Sequence, residues 1–349
     1  FRALRERLFA TLGDEAAEAG GELAELDVED LTGGLTPWLA DHAPAGSRLG
    51  VAVAGSWGHG TGSITTVALA SPDDSVGVLD LAAATAADLQ ALQVWLADGQ
   101  APKAIHDAKG PELAVRARGW SLAGLSCDTA LAAYLVLPGQ RSFDLSDLTP
   151  RFLGRELTAS ATTASAQLSL DTEEEQAGRS ELAAQARAIR DLADALDSRL
   201  AERGGTTLMH DVELPLVHVL VDLERTGIAV DVALLHDLEG EFGAAMREAE
   251  TSAHGLAGRP FNLGSPKQLQ EILFGERGLP TTKRIKTGYT TDAEALQGLF
   301  AQTGDPLLAE LLRWRDVSKL RQTVTGLLAA TGADGRIHTT FNQIVAATG

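Results

Sequence analysis

The stretch PFNLGSPKQLQEILFGERGLPTTKRIKTGYTTDAEALQGLF, residues 260–300, restricts the fold more than any other part of the chain. Ser265, Pro266 and Gln268 suit the N-cap, first and third positions of a helix, which is a capping-box arrangement. Asp292 marks a second helix start in a similar way. Between the two starts, three cations fall within four positions beside a glycine: Lys283, Arg284 and Lys286. Such a triplet in isolation is usually a solvated surface loop, and the surrounding sequence must decide between that alternative and an anion site.

The chain is acidic as a whole but basic at its C-terminal end. Its 349 residues carry a formal net charge of −19. Residues 259–349 contain eleven Lys and Arg against eight Asp and Glu, which leaves −22 for residues 1–258. The single cysteine excludes an intramolecular disulfide framework, and no apolar run reaches the ~18 residues of a membrane span. The length predicts two or three domains, and the uneven charge predicts that the C-terminal one binds an anion.

The N-terminal part alternates strands with helices, which indicates an α/β layer structure. Residues 155–180 are rich in Thr, Ser, Ala and Glu without a sustained apolar period, and they predict a mobile insertion. A helix is expected from about Ser180 to Arg203, before two glycines. Strands are expected at RLGVAVAG (48–55), ITTVALA (64–70) and VGVLDL (76–81).

From Asp211 onward the pattern is helix after helix. The last long helix, LLRWRDVSKLRQTVTGLLAA (311–330), sorts its residues by face. A buried apolar stripe is predicted for Val317, Leu320, Val324 and Leu327. Long donors that could follow a phosphate backbone occupy another face, with a solvated polar face as the alternative: Arg315, Lys319 and Gln322, with Arg321 nearby.

The Ser265 helix start adds a second feature suited to phosphate. Free N–H groups and the positive end of the helix dipole favour anions there, and Asn262 and Lys267 lie beside it. Ordinary capping is the alternative. Together with the cation triplet and the donor face, this start makes nucleic acid the leading partner.

No catalytic constellation stands out from the residues alone. A two-metal nuclease needs about four converging carboxylates, yet Leu49 to Gly62 contains no Asp or Glu. Asp107 and Asp128 remain, and Asp128 is more simply a helix cap. The isolated histidines His106 and His338 are expected to be structural.

At residues 260–300 the chain resembles the thumb region of the family A DNA polymerases of bacteria, the DNA polymerase I family. Three other stretches agree with that family in order and spacing: ELPLVHVLVDLERTGIAVD (213–231), RWRDVSKLRQT (313–323) and GRIHTTFNQIVAATG (335–349). The Ala- and Gly-rich sequence is similar to actinobacterial, particularly mycobacterial, members.

The resemblance implies an α/β ribonuclease H-like, 3′–5′ exonuclease-like domain at residues 1–210. A mainly α-helical thumb and the first palm strands would follow in residues 211–349, with the thumb at about 259–330 and the palm starting at 331–349. The chain would be a segment of an enzyme that extends a primer 3′ end using two Mg²⁺ ions, whose ligands would lie beyond Gly349. Implied partners are primer–template duplex DNA and deoxynucleoside triphosphates; no membrane is involved, and the protein would be a cytoplasmic, nucleoid-associated monomer.

Departures from the family pattern predict that the exonuclease-like domain is inactive. Proofreading members carry an Asp-x-Glu where this chain has VAVAGSWGHG (51–60), and Pro111 falls at a second expected aspartate. The third motif lacks its tyrosine near ARAIRDLADAL (186–196), where Asp191 or Asp194 survives.

The thumb tip of the family lies across the minor groove of the duplex, which would place the cation triplet against phosphates, with Gly288 allowing close approach of the backbone. Neither a catalytic nor a metal-binding residue is assigned within the chain. A non-catalytic DNA-binding clamp module and an active 3′–5′ exonuclease are the alternatives. The predicted DNA contacts are Asn262, Ser265, Lys267, Lys283, Arg284, Lys286, Arg315, Lys319, Arg321, Asn342 and Gln343.

Overall fold

A computed structural model describes residues 27–157, 172–286 and 288–346. The chain forms two compact units: unit 1 comprises residues 1–227 and 338–349, and unit 2 comprises residues 228–337. The predicted boundary after residue 210 therefore falls inside unit 1. The family domains inferred from the resemblance stay a prediction, since compact units and family domains need not coincide.

Unit 1 is built on one six-stranded mixed sheet. Its strand order is β1-β4-β3-β2-β5-β6. The central strand β3 is antiparallel to both β4 and β2, whereas the pairs β1–β4, β2–β5 and β5–β6 are parallel. This order agrees with the predicted α/β, ribonuclease H-like class. The strands are Val28–Asp30 (β1), Leu49–Gly58 (β2), Thr61–Ala70 (β3), Val76–Asp80 (β4), Lys103–Ile105 (β5) and Leu125–Asp128 (β6).

Helices cover this sheet, and two of them, α3 and α6, pack directly on β2 and β3. The helices of unit 1 are Leu35–His42 (α1), Ala86–Ala97 (α2), Lys109–Ala117 (α3), Thr129–Val136 (α4), Leu145–Leu153 (α5), Thr172–Arg203 (α6), Thr206–Leu208 (α7) and Leu214–Thr226 (α8), with a π-helical stretch Met209–Glu213 before α8. Gly50 on β2 allows the close approach of α6, because a Cβ there would lie 2.2 Å from the Ala186 carbonyl oxygen.

Helix α6 begins at Thr172, eight residues before the predicted start at Ser180. The predicted mobile insertion, residues 155–180, therefore overlaps the helix at its C-terminal end. Residues 158–171 of that insertion lie outside the described residues, so its mobility stays a prediction.

Unit 2 is mainly helical, as predicted for the second part of the chain. Its long helices α9 and α12 pack along each other, and β7 pairs with β10 in antiparallel fashion. The elements are Ile228–Ala229 (β7), Val232–Ala257 (α9), Pro266–Gln270 (α10), a π-helical stretch Glu271–Glu276, Arg284–Ile285 (β8), Gly288–Tyr289 (β9), Ala293–Thr303 (α11), Pro306–Ala329 (α12) and Arg336–Ile337 (β10). No described helix in either unit is both long and apolar enough to cross a membrane.

The buried stripe predicted on α12 is wrong in part. Val324 is buried, but Leu320 is 49% exposed and Leu327 is 39% exposed. The core of unit 2 gathers instead at the start of α12, around Leu307, Leu308 and Leu311. The start of α12 belongs to a core cluster formed with α9, α10 and α11. Further along α12, Arg313 and Arg321 form ion pairs with carboxylates of α9.

Candidate nucleic-acid interface

The cation triplet lies on a short β-hairpin formed by β8 and β9. Arg284 pairs with Tyr289 and Ile285 pairs with Gly288. The side chains of Lys283, Arg284 and Lys286 are all exposed. Within the described part of the chain, none of the three lies at ion-pair distance from a carboxylate. Their charges are therefore available to an anion in solution.

Gln270, at the end of α10, fixes this hairpin. Its Oε1 accepts a hydrogen bond from Tyr289 N at 2.9 Å. Gly288 has φ +124°, and a Cβ at this position would lie 2.1 Å from the same oxygen. The Tyr289 ring also meets Phe274 edge to face, with 5.4 Å between centroids. Gly288 thus has a structural role within unit 2, beyond the close approach to DNA expected from the sequence.

The predicted capping box at Ser265 is only half formed. Ser265 Oγ accepts from Gln268 N at 3.5 Å, but Gln268 Oε1 accepts from Asn262 N at 2.8 Å, not from Ser265 N. The Ser265 N–H is already used, because it donates to the Asn262 carbonyl at 3.0 Å. Asn262 Oδ1 in turn accepts from Gly264 N. The exposed side chains of Asn262 and Lys267 remain the DNA contacts predicted here.

The three cations predicted on α12 differ in their surroundings. Lys319 is exposed, and no described carboxylate pairs with it. Arg315 is half-buried and donates to the Thr291 carbonyl, and burial lowers its pKa. Arg321 pairs with Glu239 of α9 at 3.2 Å. Lys319 is therefore the cation of this helix that is best placed to bind phosphate, while the other two also hold unit 2 together.

Asn342 and Gln343 belong to unit 1, in the stretch after β10. The resemblance implied palm strands in residues 331–349, but residues 338–346 are irregular. Its backbone is instead held by side chains: Glu224 Oε1 accepts from Phe341 N at 2.8 Å. Asn342 is exposed, whereas Gln343 is half-buried, with its Nε2 3.3 Å from Glu213 Oε2. Asn342 is thus the freer of the two predicted contacts.

Of the two acids that the sequence left for an exonuclease site, Asp107 and Asp128, the Asp128 carboxylate has structural partners. Asp128 is buried and accepts from Ala130 N and Leu131 N at the start of α4, so the predicted helix cap is confirmed. It also accepts from Asp107 N at 3.1 Å and Ala108 N at 2.7 Å. Burial raises the pKa of the Asp128 carboxyl to about 6 and also raises the pKa of Asp107. The Asp128 oxygens are therefore already occupied by four backbone N–H donors, which leaves them poorly placed to coordinate a metal ion.

The other surviving acids are also engaged. Asp191 pairs with Arg155 and Arg190, and Asp194 pairs with Arg48. Across residues 27–157, 172–286 and 288–346, no group of three His, Cys, Asp or Glu side chains could hold a metal ion.

His106 has a polar partner in unit 1. Its Nδ1 lies 2.8 Å from Thr129 Oγ1, and burial lowers its pKa to about 4. His338 donates from Nδ1 to the Glu224 carbonyl oxygen at 2.7 Å. These contacts agree with the structural role expected for both histidines.

Sequence reasoning missed a buried ion pair between Lys109 of α3 and Glu224 of α8. The two charged atoms are 2.5 Å apart. A signal for it exists in the sequence, because Glu224 continues the spacing of the buried residues Leu214, Val217 and Val221 on α8. A carboxylate within an apolar helix face normally has a buried partner.

Family comparisons agree with this architecture. The model described as "DNA polymerase family A" matches residues 232–349. The model described as "DNA polymerase I, ribonuclease H-like domain" matches residues 61–161.

Individual relatives extend the match to the whole chain. DNA polymerase I of Mycobacterium tuberculosis (strain H37Rv) is 51% identical over 100% of this chain and 39% of its own length. The Mycobacterium leprae protein is 49% identical over the same shares. The solved POL domain of Pol1 from M. smegmatis, in complex with DNA primer–template and dNTP, is 45% identical, with a TM-score of 0.80 over 92% of this chain and 53% of that one. The chain spans about two fifths of the length of the curated relatives, and it belongs to the DNA polymerase I family of family A DNA polymerases.

Proposed function

We propose that this chain supplies primer–template duplex binding to a DNA-directed DNA polymerase I, which carries out template-directed 5′–3′ synthesis in replication and repair. One observation carries the proposal. In a chain of net charge −19, three neighbouring cations on the β8–β9 hairpin are exposed and have no carboxylate partner among the described residues. The hairpin therefore has a positively charged surface that attracts anions, although the protein as a whole is negatively charged.

The chemistry of these side chains suits a duplex of any sequence. Ammonium and guanidinium groups neutralise phosphates, and phosphate contacts fix position without reading bases. A polymerase has to move along every product that it makes, so contacts of this kind fit its task. Lys267 and Lys319 extend the basic surface of unit 2, and Asn342 is proposed to contribute a contact from unit 1.

Metal chemistry is not assigned to this chain. Membership of the family implies dependence on divalent metal ions, and we propose Mg²⁺ as the ion. The described residues offer no cluster of ligands for it, so no residue here is given a metal-binding role. The exonuclease-like domain is proposed to be catalytically inactive, since Asp128 is committed to backbone N–H groups and Asp191 and Asp194 are paired with arginines.

The remaining partners and the location are inferred from the family. They are deoxynucleoside triphosphates as substrates of the whole enzyme, a monomeric state without membrane attachment, and a cytoplasmic, nucleoid-associated location.

A salt titration of primer–template binding by the full-length protein tests the proposal. The variant Lys283→Ala/Arg284→Ala/Lys286→Ala loses three phosphate contacts. The slope of log K against log salt should therefore shrink by about 2.7, at about 0.9 per contact. The loss of affinity should be alike for unrelated duplex sequences.

A matched control removes cations that already have partners. Arg259 pairs with Glu276 at 2.5 Å and Arg313 pairs with Glu248 at 2.6 Å, both in unit 2. The variant Arg259→Ala/Arg313→Ala should keep the parental slope. An unchanged slope in the hairpin variant would refute the proposed interface. Primer extension by the full-length protein separates a polymerase from a non-catalytic clamp module, which would bind the duplex without extending it.

A further inference from the structure

The tail, defined as residues 338–346, is fixed to the rest of unit 1 by hydrogen bonds from two charged side chains. Glu224 Oε1 accepts from Phe341 N at 2.8 Å, and Lys109 Nζ donates to the Phe341 carbonyl. Lys109 Nζ and Glu224 Oε1 are themselves 2.5 Å apart. Both backbone groups of Phe341, the residue before Asn342, are therefore held by one ion pair.

Other parts of the same domain hold the tail on either side of Phe341. The Tyr134 hydroxyl donates to the Ala346 carbonyl at 2.7 Å, and Ile344 packs against the core of unit 1. At the turn between β2 and β3, Gly60 has φ +72°, and a Cβ there would lie 2.6 Å from His338 Nδ1. The tail is thus held by contacts with the sheet and with three helices of unit 1: α3, α4 and α8.

Stability alone does not explain this ion pair. The side chains of Lys109 and Glu224 are only 11% and 2% exposed. Buried ion pairs can often be replaced by apolar side chains of similar volume without loss of stability. Apolar side chains, however, cannot bond to the N–H and C=O of Phe341. The hydrogen bonds to the Phe341 backbone are therefore what requires a lysine and a glutamate at these two positions.

We infer that Lys109 is a positioning residue for duplex binding: with Glu224 it holds the Phe341 backbone, and through it Asn342 and Gln343, where the DNA passes. This inference rests on the proposed function. The domain that is proposed to have lost its exonuclease activity then acts as a fixed support for a DNA-binding segment.

The first experiment measures primer–template affinity of the full-length protein against salt for Lys109→Met. The expected result is binding weakened roughly tenfold, because the tail loses a hydrogen bond to a charged group. The salt slope should stay parental, because Lys109 is buried and acts through uncharged groups. A direct phosphate contact by Lys109 would instead reduce the slope by about 0.9.

Lys103→Met is the matched control. Lys103 is another buried lysine of unit 1, but its Nζ donates to the carbonyl oxygens of Asp98 and Ala101, which lie outside the tail. Like Lys109→Met, the Lys103→Met variant removes one buried lysine from unit 1. Primer–template affinity should remain parental in this variant, whatever happens to its melting temperature.

The double variant Lys109→Met/Glu224→Met separates positioning from stability. Removing both charges avoids an unpaired buried carboxylate, so the melting temperature should recover relative to Lys109→Met. Binding should stay weak, since the Phe341 carbonyl loses Lys109 in both variants and the Phe341 N–H also loses Glu224 in the double variant. Amide hydrogen exchange of residues 338–346 should be faster in both variants than in the parent and in Lys103→Met.

The possible outcomes are distinct. If the parent does not bind primer–template, the proposed function fails. If the parent binds and Lys109→Met keeps parental affinity, the inference fails while the proposed function stands. Affinity that follows melting temperature in all three variants would likewise reduce Lys109 to a purely structural residue.

Discussion

Replacing Gly288 with alanine should weaken primer–template binding without removing any charge. The side chain would have to tolerate φ +124°, a region where residues other than glycine cost about 1–3 kcal/mol. Its Cβ would also displace the Gln270 oxygen, which lies 2.1 Å away, and break the bond to Tyr289 N, worth about 1 kcal/mol. The two costs add to at least about 2 kcal/mol, or about 30-fold in affinity, if binding requires the ordered hairpin.

The assay is again primer–template binding by the full-length protein as a function of salt. The slope should stay close to the parental value, because Lys283, Arg284 and Lys286 are all retained. The melting temperature should hardly change, since two-residue strands contribute little to the core of unit 2.

Two variants control for the origin of the effect. Gly278 has φ +64° with open space where an added methyl group would lie, so Gly278→Ala carries a backbone cost without the clash and should bind normally. Gln270→Ala removes only the hydrogen bond and should weaken binding about fivefold. Parental affinity in Gly288→Ala would refute the idea that Gln270 holds the hairpin in its binding geometry.

The full-length protein should not shorten a mismatched primer end in Mg²⁺ or Mn²⁺; metal-dependent shortening that Asp107→Ala or Asp128→Ala abolishes would revive the exonuclease alternative. Burial raises the pKa of Asp128 from 3.8 to about 6, so the folded state binds more protons than the unfolded chain between these values. The free energy of unfolding should therefore fall by about 2 kcal/mol as pH rises from 4 to 6.5, and urea unfolding of Asp128→Asn should lack this component. Lys319→Ala should reduce the salt slope of duplex binding by about 0.9. Arg315→Ala should reduce the slope less and lower the melting temperature, because Arg315 donates to Thr291; equal slope changes would show that Arg315 also reaches a phosphate.

The α/β and helical parts of the fold could be predicted because their signals are local. Strand-length apolar runs mark β2, β3 and β4, and Gly204 follows the end of α6 where a C-cap was expected. The resemblance to family A polymerases supplied the long-range arrangement that these patterns do not contain. Local sequence patterns did not predict burial correctly where it depends on packing against residues far away along the chain. Leu320 has helical spacing suited to burial, but it is exposed.

The candidate site shows the same limit. Exposure of Lys283, Arg284 and Lys286 follows from an excess of charge without nearby acids, which the sequence displays. The difference between Lys319 and Arg321 does not, because Glu239 is 82 positions away from Arg321. The contact between Lys109 and Phe341 spans 232 positions. No local pattern could have indicated that a helix start in the exonuclease-like domain holds the segment next to Asn342.

The return of residues 338–349 to unit 1 has a consequence for the order of events during synthesis. Unit 2 lies between the two parts of unit 1 along the chain, so a ribosome finishes unit 2 before it delivers the last part of unit 1. The Phe341 N–H that bonds to Glu224 is made 117 residues after it. At about 5–20 residues per second, that is a delay of about 6–23 s. During this interval Lys109 and Glu224 have no Phe341 to bind, so unit 1 cannot complete its hydrogen bonds until the tail has been synthesised.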